Sequence, residues 1–73
     1  MEKIAIKTEY IKLDQFLKFA GVTGSGAEAK MMIADGKVTV NGEVALQRGK
    51  KLRGGDKVDA DGQTFEVQQN SGV

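Results

Sequence analysis

The chain has 73 residues and contains neither cysteine nor histidine. Without cysteine, no disulfide and no thiolate metal site can reinforce the core. Without histidine, the usual imidazole base, the usual zinc ligand and the physiological-pH switch are missing. The common catalytic constellations are therefore unavailable, and neither enzymatic activity nor a metal or other cofactor is expected. Long apolar runs are missing too: the longest cover a few residues, far below the roughly 20 of a transmembrane helix. No apolar signal core follows Met1, so the expected compartment is the cytoplasm, with no membrane association. The length leaves room for one domain with a thin core and modest stability.

What the chain does have is an uneven distribution of charge. Residues 1–53 hold ten of the eleven Lys and Arg and six of the ten Asp and Glu, a local net of +4, whereas residues 54–73 hold one Lys and four acids, a net of −3. The overall +1 hides a concentrated positive region of the kind that suits a polyanionic partner. Its densest part is Arg48-Gly49-Lys50-Lys51-Leu52-Arg53, four cations in six residues with no acid. Arginine forks onto phosphate oxygens, and lysine acts as a point charge. A solvated loop that aids solubility is the competing reading.

The residue pattern predicts β-α-α-β-β-β-β. Glu2 to Lys7 alternates, with Ile4 and Ile6 on one side, and reads as a half-buried strand. Thr8 to Ile11 reads as a connection. Leu13, Phe16, Leu17 and Ala20 have i, i+3, i+4, i+7 spacing and predict a short helix ending at Gly21. Ser25 and Glu28 form an S-x-x-E capping box for a second helix, stopped by Gly36. That helix has two apolar stripes, Ala29-Met32-Ile33 and Ala27-Met31-Ala34, which predicts burial on both sides, between the first helix and a sheet. If one stripe were instead open, it would face a partner. Asn41-Gly42 and Asp61-Gly62 signal tight hairpin turns. Phe65 and Val67 should point inward, and residues 70–73 should fray.

Two further regions could carry chemistry. Val22-Thr23-Gly24-Ser25-Gly26 opens the second helix, where free N–H groups favour anions, with Thr23, Ser25, Gly26 and Lys30 at hand. A plain interhelical turn explains the same residues. The segment lacks the Gly-Lys-Ser/Thr ending of a nucleotide-binding loop. Lys12, Gln15 and Phe19 share one flank of the first helix. Lys12 and Gln15 could touch a backbone and Phe19 could stack on an unpaired base, although aromatics more often lie at the edge of a core. Asp56, Asp59 and Asp61 do not have the spacing of a calcium-binding loop.

Lys12-Leu13-Asp14-Gln15-Phe16-Leu17, then Ser25 to Ile33, then Gly36-Lys37-Val38-Thr39-Val40-Asn41-Gly42, then Gly55-Asp56-Lys57-Val58 resemble the S4-like RNA-binding domain, and in particular the small stand-alone bacterial proteins of that family. The resemblance spans about residues 10–60 of a domain expected to run over 1–69. It implies an α+β fold with the αL motif, in which two helices packed on one face of a small, mainly antiparallel sheet present an RNA-binding surface with the β-turn that follows them. The family often has Ser-Arg where this chain has Ser25-Gly26. Lys30 and the basic loop are expected to stand in for that Arg.

The expectation is a non-catalytic, monomeric protein that grips the backbone of structured RNA through Lys12, Gln15, Thr23, Ser25, Gly26, Lys30, Lys37, Arg48, Lys50, Lys51 and Arg53. Ribosomal RNA comes first among the candidates, with transfer RNA second, and a ribosomal particle, in assembly or quality control, is the expected setting. The alternative is a protein-interaction adaptor that uses Ala27, Met31 and Ala34.

Overall fold

The first strand finds its partner near the other end of the chain. In the computed structural model, which describes residues 1–69, β1 (Glu2–Ile6) lies parallel to β7 (Gln63–Gln69), with Ile4 opposite Val67. β6 (Lys57–Ala60) pairs antiparallel with β7 and with β3 (Val38–Val40), and β4 (Glu43–Val44) pairs antiparallel with β3 at the far edge. The order is β1-β7-β6-β3-β4. Both hairpin turns are as the residues predict: Asn41 and Gly42 have φ of 52 and 86, and Asp61 and Gly62 have φ of 51 and 76. Asn and Asp are the non-glycine residues that best tolerate this left-handed conformation.

α1 (Leu13–Phe19) and α2 (Gly26–Ala34) cover one face of this sheet. Leu13, Phe16 and Leu17 of α1 and Ala29 and Ile33 of α2 are buried. From the sheet they meet Ile6, Val38, Val40, Val58, Ala60, Phe65 and Val67. Phe16 meets Phe65 edge to face, with centroids 6.0 Å apart and planes at 81°, a favoured aromatic arrangement. The outer face of the sheet is polar. Thr39, Asp59 and Thr64 lie in register across three strands, and both threonine hydroxyls donate to the Asp59 carboxylate. The α2 cap forms with a one-residue shift. The Glu28 N–H donates to Ser25 Oγ at 3.2 Å, but the Glu28 carboxylate accepts from the Gly24 N–H at 3.2 Å rather than from that of Ser25.

Three expectations need correction. Ile11 does not belong to a connection: β2 (Ile11–Lys12) pairs antiparallel with β5 (Lys51–Leu52) as a separate two-stranded sheet. Two-residue strands are too short for their alternation to be read, and their pairing spans 40 residues of intervening chain. Second, α2 is not buried on two sides. Ala27, Met31 and Ala34 are exposed, Met31 by 66%, because α1 and the sheet take up only the Ala29-Ile33 side. Third, Phe19, expected at the edge of the core, is 62% exposed and is not among the side chains packed against it. Among the described residues no helix is long and apolar enough to cross a membrane. The tail expected to fray, 70–73, lies outside the described residues.

Candidate nucleic-acid interface

The small β2–β5 sheet explains the placement of the cations. Side chains alternate across a strand, so one face of β2–β5 carries Ile11 opposite Leu52 and the other carries Lys12 opposite Lys51. Leu52 is fully buried and Ile11 packs against the core. This inner face anchors the basic loop. The outer face carries Lys12 and Lys51, and Tyr10 and Arg53, just beyond the two strands and each two residues along the chain from one of these lysines, gather there too. Lys51 Nζ lies 4.8 Å from the centre of the Tyr10 ring, and the Arg53 guanidinium carbon lies 5.9 Å from it. Cations over an aromatic face are attracted by its quadrupole. Lys12 and Lys51 are like charges directly opposite one another, an arrangement that costs stability in a sheet. An anion between them would remove that cost.

The backbone of the loop is fixed from two directions. The Leu13 N–H donates to the Lys50 carbonyl at 2.8 Å, and the Asp14 N–H donates to the Arg48 carbonyl at 3.1 Å. Lys12, the N-cap residue, makes no side-chain cap, so the basic loop itself caps α1. These bonds hold Arg48 and Lys50 against the start of the helix that carries Gln15. At the loop's other end, Asp56 accepts the Arg53 N–H at 2.9 Å and Asn41 Nδ2 at 3.1 Å. Asn41 Oδ1 in turn accepts the Lys57 N–H at 2.9 Å. The hairpin turn and the Gly55-Asp56 turn are thereby clasped together, with the basic loop between them. Nearby carboxylates are engaged by neutral donors: Asp14 by the Gln15 N–H, Asp59 by two threonines and Asp56 by the clasp.

The structure thus brings Lys12, Gln15, Arg48, Lys50, Lys51 and Arg53 around the start of α1, all exposed. Ser25, Gly26, Lys30 and Lys37 belong to α2 and its two ends. No hydrogen bond or cation–π contact among the described residues ties them to the loop. Lys30 and Lys37 are exposed, and Ser25 and Gly26 are half-buried. Thr23 is placed differently from what its hydroxyl suggests. It is only 6% exposed and donates to the Ser25 carbonyl at 3.2 Å, so its hydroxyl shapes the interhelical turn. Sequence reasoning missed Tyr10, which sits in a stretch taken as a connection, and the Asn41–Asp56 clasp. The signal for Tyr10 was its i, i+2 relation to Lys12, which is the spacing of one strand face.

Comparison with known proteins bears on this surface. The sequence model of the S4 domain matches residues 4–68. The chain is 48% identical over 59 residues to the "probable ribosome maturation protein RlbA" of Bacillus subtilis, covering 81% of this chain and 83% of that protein. The solution structure of YbcJ from Escherichia coli, described as revealing an αL motif involved in RNA binding, superposes with a TM-score of 0.72 at 33% identity, covering 93% of this chain and 87% of that one. The ribosomal large subunit pseudouridine synthase B of Xanthomonas campestris is 44% identical over 54 residues, but these make up 11% of that enzyme.

Proposed function

The chain belongs to the S4 domain family and has its αL architecture, and from that premise we propose that it is an RNA-binding module without catalytic activity of its own. The domain runs over residues 1–69. It grips the sugar-phosphate backbone of structured RNA, ribosomal RNA first, as a monomer acting on a ribosomal particle in the cytoplasm. The observation that carries this reading is the outer face of β2–β5, where Lys12 stands opposite Lys51 with Tyr10 beneath Lys51 and Arg53. Such crowding of positive charge is unfavourable in the free protein and is relieved by a phosphate. Duplex RNA hides its major-groove edges, so backbone and shape are what such a face can reach. The names of RlbA and YbcJ support a ribosomal, RNA-directed role. The pseudouridine synthase match covers too little of that enzyme to support a catalytic one.

The test is fluorescence anisotropy with a folded ribosomal RNA fragment over a range of salt concentrations. Four to six phosphate contacts give a log–log slope of about −3 to −5. Lys50→Glu combined with Lys51→Glu should abolish binding, and a flat salt response would refute the mechanism. A second reading has its own observation. Met31 is 66% exposed, with Ala27 and Ala34 exposed on the same side of α2, an apolar stripe of the kind an adaptor presents to a protein partner. Met31→Lys separates the two readings: RNA affinity survives it if the cationic face is the interface, whereas capture of a protein partner does not survive it if the stripe is.

A further inference from the structure

Among the described residues Tyr10 is the only aromatic ring with cations over it, and it has two: the Lys51 ammonium at 4.8 Å from its centre and the Arg53 guanidinium at 5.9 Å. A lysine nearby in sequence does not produce such a contact by itself. Phe19 follows Lys18 directly and is 62% exposed, yet has no cation over it. The Tyr10 ring also has a fixed base. Ile11, the next residue, packs against the core and pairs with the buried Leu52, and the Thr8 hydroxyl donates to the Tyr10 carbonyl at 2.7 Å. The two cations have no comparable support of their own. Lysine and arginine side chains have much rotamer freedom, and Lys51 is repelled by Lys12 directly opposite. Without the ring, both would spread over many rotamers in solvent.

We infer that Tyr10 is a positioning residue: its ring gathers Lys51 and Arg53 in the free protein, so that both meet the RNA phosphates already ordered. The inference rests on the backbone-gripping reading above and adds a source for its affinity. Rotamer freedom that would be lost on binding is lost on folding instead. Lysine has three N–H donors and arginine five, so each cation can donate to a phosphate without leaving the ring. The ring itself is uncharged. It neutralises no phosphate and releases no counterion, so Tyr10 acts on affinity and not on its salt dependence. That separates it from Lys12, Lys51 and Arg53, which act on both.

The experiment pairs anisotropy titrations of the folded ribosomal RNA fragment over a salt series with proton NMR of the wild type. The ring should shift the Lys51 ε-methylene upfield in the free protein, and the shift should persist in the RNA complex. Its absence in either state overturns the inference, with no variant needed. Tyr10→Leu should bind about 5-fold more weakly, the lower end for two exposed cation–π contacts, with an unchanged log–log salt slope. Lys51→Met should cut that slope by about 0.7. In the Lys51→Met background the loss from Tyr10→Leu should shrink to about 2-fold, since one cation then remains over the ring. Tyr10→Phe should restore the affinity. A merely structural Tyr10 would give the same loss in both backgrounds, and a hydroxyl that touched the RNA would make Tyr10→Phe as weak as Tyr10→Leu. Either result overturns the inference. Wild-type affinity in Tyr10→Leu, with the steep salt slope retained, overturns it alone and leaves the backbone-gripping reading standing. A wild type that binds with a flat salt response, or not at all, brings both down.

Discussion

Lys12→Glu should make the free protein more stable and a poorer RNA binder, and the opposite signs carry the argument. Lys12 is the N-cap of α1, with extended φ and ψ of −73 and 147 and no side-chain cap, and its cross-strand partner is Lys51. Like charges directly opposite one another cost a few tenths to about 1 kcal/mol, and opposite charges return a similar amount. A carboxylate at the positive end of a helix adds about 0.3 kcal/mol. That is the low end of the range, since the carbonyls of Lys50 and Arg48 already accept the first two helical N–H groups. Both side chains are exposed, so solvent screening trims the total to about 0.5–1 kcal/mol. For a domain of this size that is a rise in melting temperature of about 2–8 °C at low salt. Loss of the phosphate contact at Lys12 should shrink the log–log salt slope of RNA binding by at least about 0.7. Thermal melts by circular dichroism and anisotropy titrations of the same preparations read both quantities. If Lys12 were merely structural, stability would fall. If it faced no phosphate, the slope would stay the same. Either result refutes the reasoning, and Lys12→Gln should lie between the wild type and Lys12→Glu in both assays.

Substitutions at four further positions test the scaffold. Asn41→Ala removes the bonds to Asp56 and to the Lys57 N–H and forces alanine to a φ of 52. The cost should be about 1–3 kcal/mol in a denaturant titration, and Asn41→Gly, free of the backbone strain, should cost less. A Cβ on Gly54 would lie 2.9 Å from Gln69 Cβ and 3.3 Å from its backbone nitrogen, whereas one on Gly49 would meet nothing within 4 Å. Gly54→Ala should therefore lose about 1–3 kcal/mol while Gly49→Ala stays neutral, and equal effects would contradict the packing of the loop on β7. Phe16, fully buried and edge-on to Phe65, should cost about 3–5 kcal/mol as alanine. That matches the whole stability expected of so small a core, so Phe16→Ala should show no cooperative melt and Phe16→Leu a weakened one.

The features legible in the sequence are those decided within about four residues. Asn41-Gly42 and Asp61-Gly62 need only their own conformational preferences, and the Ser25 cap needs only Glu28. The helix stops at Gly21 and Gly36 are equally local, and both glycines have positive φ. The basic loop was legible as composition. Its convergence with Lys12 was not, because that depends on a two-residue pairing that carries no alternation of its own. Tyr10 was hidden for the same reason. The parallel docking of β1 on β7 likewise follows from long-range register and leaves no local trace beyond the apolar Ile4 and Ile6.

The exposed stripe of α2 is a different case, because the sequence held the means to place it. Periodicity says which residues share a helix face, but not whether a layer exists to cover that face. Length answers the second question. A chain of 73 residues supports one core between two layers, and here one layer is the sheet and the other is the helix pair. Within a two-layer domain a helix can be covered by the sheet below and by its neighbour at the side, and never from above. Ala29 and Ile33 take those covered positions, so Ala27, Met31 and Ala34 had to face outward. The same counting applies to Phe19, at the open end of α1. Large apolar side chains left outside in a domain with so little core to spare are poor economy for folding alone, which is why Phe19 and Met31 are the positions where binding partners should be sought.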